Sequence, residues 1–147
     1  SAEYSYSGPM AVSRADDTRI QALADVKGLK SAQTLSSNYG EMAKAAGAEI
    51  VPVDGLAQAL ILVQQKRADF TFNDSLALLD YLKKTPDSGL RVAWRADAAE
   101  KVGAGFVANK GNDEALAKIS AAVEELRADG TLKQLGEQFF GEDVSAK

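Results

Sequence analysis

Two short polar clusters carry the residue types best suited to hold a charged small molecule. The first is Ser36-Ser37-Asn38, which offers hydroxyls, an amide and, at the start of a predicted helix, unpaired backbone N–H groups. Such donors suit an anion such as a carboxylate. The same residue types are also the ordinary N-caps of helices, so plain capping is the alternative.

The second cluster contains Asp74, which follows the β-rich run Phe70–Asn73. A carboxylate in a partly dry cleft can accept hydrogen bonds from an ammonium group. Helix capping is again the alternative. Together, anion-directed donors and a cation-directed carboxylate at one sheet edge would suit a zwitterion.

The composition favours binding over catalysis. Histidine and cysteine are both absent, which removes the commonest general base, the thiolate nucleophile and the usual transition-metal ligands. We therefore expect no enzyme activity, no metal and no cofactor. The adjacent carboxylates Asp16-Asp17 are expected to be solvated surface charge.

Length and charge narrow the class of protein. The chain has 147 residues, 46% of them hydrophobic, with a formal charge of −4 and interleaved signs. This predicts an α/β unit with its own core, and no nucleic acid partner because no basic stripe is present. No apolar run reaches the length of a membrane span, and residues 1–3 resemble no secretory signal, so we expect a soluble chain whose export signal has been removed.

Strands and helices alternate along the first hundred residues. Strands are predicted at 30–35, 50–53, 70–73, 90–94 and 105–108. Three helices are predicted between them: one at 39–46, one that follows Asp54 as its N-cap, and one at 76–83. This alternation predicts a mainly parallel sheet, whose ligands lie at the carboxyl ends of the strands. Two amphipathic helices then follow, with Leu116, Ile119, Val123 and Leu126 on one face of the first, and the end from Val144 looks frayed.

Four segments resemble one family in the right order. They are YSYSGPMAVSRA at 4–15, TLSSNYGEM at 34–42, ADFTFND at 68–74 and the ending DGTLKQLGEQFFGEDVSAK at 129–147. They resemble, respectively, the crossover, the ligand loop, the aspartate-ended strand and the helical terminus of type 3 periplasmic solute-binding proteins of ABC importers. Among the subfamilies, the chain is most similar to cystine-binding proteins.

This resemblance implies a periplasmic-binding-protein-like lobe and a role for each cluster. Ser36, Ser37 and Asn38 would face the α-carboxylate of an amino acid, and Asp74 would pair with its α-ammonium. Residues 1–11 would be a crossover segment, 12–100 the second ligand-binding lobe, and 101–147 a crossover strand with C-terminal helices that return to the first lobe. Most of that first lobe is missing from the chain, so we expect it to bind amino acids weakly or not at all.

The resemblance also implies partners and a location. The protein would deliver its amino acid to ABC permease subunits in the membrane, from the periplasm or another extracytoplasmic space, with a lipid anchor in a Gram-positive source. Apolar faces of the C-terminal helices left without the first lobe would favour a homodimer.

The chain departs from the family pattern at three positions. Met10 stands where tyrosine is usual, Ser36 where the ligand loop has glycine, and Lys66 where glycine often precedes Arg-x-Asp. Two alternative functions share the fold: a dehydratase acting through carboxylates, and the extracellular sensor domain of a receptor.

Overall fold

The computed structural model describes residues 2–97, 100–107 and 109–147. Its contacts divide the chain into two units, Pro9–Ala96 and a second composed of Ser1–Gly8 with Asp97–Lys147. The lobe boundaries inferred from resemblance, at 11/12 and 100/101, refer to a complete receptor and stay predictions.

Seven strands and five α-helices make up the two units. The strands are β1 (Glu3–Ser7), β2 (Pro9–Arg14), β3 (Lys30–Gln33), β4 (Glu49–Pro52), β5 (Phe70–Asp74), β6 (Leu90–Arg95) and β7 (Val102–Gly105). The helices are α1 (Asn38–Ala45), α2 (Leu56–Gln64), α3 (Ser75–Lys84), α4 (Asp113–Ala128) and α5 (Thr131–Phe140), with a 3-10 helix at Leu23–Val26.

The larger unit is built on a five-stranded sheet in the order β4-β3-β5-β2-β6. β3 pairs in parallel with both β4 and β5, whereas β2 is antiparallel to β5 and β6. Four strands therefore run in one direction with β2 reversed between them. The predicted α/β class with a mainly parallel sheet is confirmed.

Alternating side chains fill both faces of this sheet. Phe70 and Phe72 of β5 point to the face covered by α1 and the 3-10 helix, where they are fully buried. Met10 and Val12 of β2 point to the other face, which packs against α2 and α3. This period-two pattern fixes the register, because a slip of one residue would expose every apolar side chain.

Helix α1 begins within one residue of its predicted start, but two other expectations are wrong. Asp54 does not cap α2: the N-cap is Gly55, without a side-chain hydrogen bond, and Asp54 instead donates its N–H to Gln58 Oε1 at 2.9 Å. The strand predicted at 105–108 is found three residues earlier, at Val102–Gly105. The last residue of the predicted range, Ala108, falls outside the described residues.

Asp17 is not the solvated charge that was expected. Its side chain is only 8% exposed and forms an ion pair of 2.7 Å with Arg19, while Arg14 lies 3.7 Å away. Arg19 also binds Asp69 at 2.8 Å. The Arg19 hydrogen bond outweighs burial and lowers the pKa of Asp17 to about 2. These charges join the ends of β2 and β5 at the edge of the sheet where β5 begins.

The smaller unit pairs β1 with β7 in an antiparallel ribbon. Arg127 of α4 donates to the backbone oxygens of Glu3 and Ser145, and Tyr6 N–H donates to Val144 O at 2.7 Å. Val144 and Ser145 are consequently buried. The end expected to fray is tied to β1, a long-range contact that local composition does not reveal.

Candidate functional site

The loop between β3 and α1 places the first polar cluster. Ser37 is the N-cap of α1: its Oγ accepts a hydrogen bond from Gly40 N–H at 3.0 Å. The same hydroxyl donates to Thr34 O at 3.0 Å. The capping alternative therefore holds for Ser37, and any ligand role of its hydroxyl stays a prediction. Ser36 and Asn38 are exposed.

Two backbone donors remain at the start of α1. Within the described residues, the N–H groups of Asn38 and Tyr39 donate to no protein acceptor. Gly40 is buried behind them, and a Cβ at this position would lie 2.7 Å from Thr34 O. A glycine is thus required for the close approach of loop and helix, and the helix start leaves two free donors of the kind that bind anions.

Asp74 ends β5 and caps α3. Its Oδ2 accepts from Leu76 N–H at 2.9 Å, so the capping alternative is confirmed here too. Its own N–H donates to Asn73 Oδ1 at 2.8 Å. Within the described ranges Oδ1 of Asp74 has no protein partner, which leaves one carboxylate oxygen for a cation while the other holds the helix.

The structure brings the two clusters to one edge of the sheet. Because β3 and β5 are parallel, their carboxyl ends lie side by side. Tyr39, which follows the first cluster, lines one small cavity together with Ser37 and Asn73. The pKa of Tyr39 is raised, first by burial and then by the negative charge of Asp74. A cavity of about 40 Å³ opens here, lined by residues that include Gln33, Thr34, Ser37, Tyr39, Thr71 and Asn73.

That cavity is too small to enclose an amino acid, because pockets that enclose small ligands usually have volumes of roughly 300 Å³ or more. The lobe supplies one wall with a charge pattern, and most of the ligand's surface would lie outside it. Such a wall can bind and orient a zwitterion but cannot enclose it.

Sequence reasoning missed two residues of this wall, Tyr39 and Gln33. Gln33 is only 3% exposed, and its Nε2 donates to Ser31 Oγ at 3.0 Å. Its signal in the sequence was a long polar side chain inside the strand predicted at 30–35; in the structure it is the last residue of β3. Tyr39 was placed only as the first residue of a helix, because its proximity to Asp74 depends on strand pairing.

An open groove of about 540 Å³ continues from the loop between β3 and α1 toward the edge strand β4. It is lined by residues of that loop, of the end of β4 with the turn after it, and of α2: Thr34, Leu35, Ser36, Pro52, Val53, Asp54 and Gln58. The groove combines apolar walls with a carboxylate, an amide and two hydroxyl residues.

Neither the small cavity nor the open groove has the set of side chains that binds a metal ion. In the parts of the chain that the structure describes, no three histidine, cysteine, aspartate or glutamate side chains converge. None of the helices in those parts is long and apolar enough to cross a membrane.

Comparison with known proteins gives matches along nearly the whole chain. Residues 1–142 match the family of bacterial extracellular solute-binding proteins, family 3. A probable amino-acid ABC transporter-binding protein of Haemophilus influenzae is 47% identical over 97% of this chain and 54% of its own length. An L-cystine-binding protein of Bacillus subtilis is 41% identical over 97% of this chain and 53% of its own.

A solved structure shows the same architecture. The L-cystine solute receptor of Neisseria gonorrhoeae, in its unliganded open conformation, is 62% identical and superposes with a TM-score of 0.94 over all of this chain and 62% of that one. The chain therefore spans about half the length of the curated relatives and less than two thirds of this receptor.

Proposed function

Because the chain belongs to the bacterial extracellular solute-binding proteins of family 3, we propose that it forms one lobe of an amino-acid receptor that serves an ABC importer. The observation that carries the proposal is that free N–H groups at the start of α1 and the free oxygen of Asp74 lie at the same edge of the sheet. These opposite preferences match the two charges of an amino acid.

In this proposal each cluster has one role. The backbone of Asn38 and Tyr39, with the side chains of Ser36, Ser37 and Asn38, faces the α-carboxylate. Asp74 Oδ1 accepts from the α-ammonium. Since Ser37 already caps α1, its hydroxyl oxygen can give a ligand only a remaining lone pair, so the main contribution of this loop is backbone N–H.

Cystine is the ligand we propose. The Bacillus subtilis relative and the Neisseria gonorrhoeae receptor are both named for L-cystine, and the identity to the second is high. The receptor would work outside the cytoplasm, with a lipid anchor in a Gram-positive source, and would hand its ligand to permease subunits. It would bind reversibly and catalyse no reaction.

A complete receptor would close a second lobe over this wall. We expect this chain alone to bind amino acids weakly, in the millimolar range, because half of the ligand's contacts are absent. Calorimetric titration with a panel of amino acids that includes cystine, with and without a separately produced first lobe, measures this. Micromolar binding by the chain alone would contradict the one-lobe proposal.

Asp74→Asn is the matched variant for this titration. Asparagine also caps helices well, so α3 should keep its start, while the ammonium loses its counter-charge. We expect heat with both lobes present and at least about tenfold weaker binding in Asp74→Asn. If no amino acid binds even with both lobes, the importer function gives way to the dehydratase or sensor alternative.

We also propose that the chain self-associates when no first lobe is present. Leu126, Leu135 and Phe139 of α4 and α5 are 39%, 45% and 50% exposed. An apolar face of this kind favours association with a second copy.

A further inference from the structure

The turn before α2 holds a second carboxylate that has no structural task. Asp54 was the expected cap of this helix, yet its carboxylate makes no hydrogen bond or ion pair with any described residue, and Gly55 occupies the cap position. Only its backbone is used, by Gln58. An exposed, unpaired carboxylate beside an open groove is free to meet a ligand.

The strand registers place Asp54 and Asp74 at the same edge of the sheet. β3 pairs Gln33 with Pro52 and Ser31 with Phe70, so Pro52 and Phe72 lie on either side of Gln33, two strand spacings or about 10 Å apart. Asp54 follows Pro52 by two residues, in the turn before α2, and Asp74 follows Phe72 by two residues, at the end of β5.

We propose that Asp54 is a second ligand-binding carboxylate, which accepts the distal ammonium group of an amino acid with two zwitterionic ends. The proposal rests on the proposed amino-acid receptor function and names its substrate class. The α-carbons of a disulfide-linked pair are about 5.5–6 Å apart. With the Cα–N bond and a charge-assisted hydrogen bond of about 2.8 Å at each end, such a ligand is long enough to span the two strand spacings between the ends of β4 and β5.

The rest of the groove suits the distal end of such a ligand. Gln58 uses Oε1 to accept from Asp54 N–H at 2.9 Å, which leaves its Nε2 to donate to a distal carboxylate. Thr34 and Val53 line both the groove and the smaller cavity, so the two adjoin, and Ser36 adds an exposed hydroxyl to the groove. Pro52 and Val53 provide an apolar wall for the linking atoms.

The test compares two soluble ligands that differ by one group. L,L-2,6-diaminopimelate has two amino-acid ends, and L-2-aminopimelate has the same length and both carboxylates but lacks the second amine. Each is titrated into the ¹⁵N-labelled chain, and amide shifts at 36–40 and at 53–58 give separate binding curves. We expect the two-ended ligand to shift both segments, and Asp54→Asn to weaken it about five- to tenfold while the one-ended ligand changes less than about twofold.

Asp87→Asn is the matched control. Asp87 is also exposed, but it precedes β6, which runs in the direction of β5, so it lies at the opposite edge of the sheet. This substitution should leave the affinity for both ligands unchanged. Equal affinities of the two-ended ligand for the native chain and Asp54→Asn, with Asp74→Asn still weakened, would overturn the role of Asp54 and leave the receptor function standing. No shift at 36–40 or at 53–58 with either ligand would overturn the role of Asp54, and no heat with both lobes present would overturn the receptor function as well.

Discussion

At the scale of single residues, an ion pair with a largely buried carboxylate lies at the edge of the sheet opposite to Ser37 and Asp74. Arg19 holds the pKa of Asp17 at about 2, below the ordinary value of an unfolded aspartate, about 3.9. A carboxyl whose pKa is lower in the folded state stabilises the fold fully above its unfolded pKa, and this stabilisation is lost as the pH falls toward the folded pKa. Asp17 should therefore contribute to stability at pH 7 and stop contributing between about pH 5 and pH 2.

Urea denaturation of the native chain and Asp17→Asn checks this. We expect the native chain to be more stable at pH 7 by about 1–3 kcal/mol, with a difference that shrinks as the pH falls to 2.5. Asp16→Asn is the control, because Asp16 is exposed and should show no such pH dependence. A difference between native and Asp17→Asn chains that is constant from pH 7 to 2.5 would contradict the assignment.

Residue types along the sequence predicted the caps better than the contacts. Ser37 and Asp74 lie at strand-to-helix junctions, and junctions are visible in local sequence. The local sequence does not show that the Asp54 carboxylate is unpaired, because an aspartate before Gly and an apolar run is also a typical N-cap. Arg19 links Asp17 to Asp69, which is 50 residues from Arg19, and the charge near Tyr39 is that of Asp74, 35 residues away, so only the folded chain reveals these contacts.

At the scale of elements, the end of α2 contains a strained residue. Lys66 has φ of 63°, the left-handed conformation that costs a residue with a Cβ about 1–2 kcal/mol. The family often has glycine at the matching position, and glycine adopts this conformation freely at a helix end. We expect Lys66→Gly to stabilise the chain by about 0.5–1 kcal/mol, measured by urea denaturation.

The same substitution inside a helix gives the opposite sign. Lys83 is exposed in the last turn of α3, and Lys83→Gly should cost about 1 kcal/mol. A destabilised Lys66→Gly chain would show that the Lys66 side chain contributes more than its backbone strain costs.

The elements themselves were predictable where the pattern is local. Strands β3 to β6 and helices α1 to α3 were found, with ends displaced by one or two residues, because apolar spacing and caps mark them. β2 was assigned to a crossover, since its antiparallel place between β5 and β6 depends on partners some 60 and 80 residues later. The strand placed at 105–108 followed Phe106 and Val107, whereas β7 is glycine-rich and binds β1 through its backbone.

At the scale of the whole molecule, the apolar face of α5 should decide its state of association. We expect light scattering to show a mass that rises with concentration toward that of a dimer, and Leu135→Glu to keep the chain monomeric by placing a charge on that face. Gln134→Glu adds the same charge about 100° around the axis of α5 from Leu135, off the face that carries Leu135 and Phe139, and should leave association unchanged. A monomeric native chain at every concentration would contradict the proposed dimer.

The two ends of the larger unit meet: Ala96 N–H donates to Pro9 O at 2.9 Å. Because its first and last residues are adjacent, inserting this unit into a turn of another protein should cost little loop-closure entropy in that protein. It can therefore be spliced as a cassette into a host turn, or joined end to end and reopened at the Asp87-Ser88-Gly89 turn as a circular permutant. In either arrangement the paired strands β2 and β6 remain intact, and with them the sheet edge that carries Asp54 and Asp74.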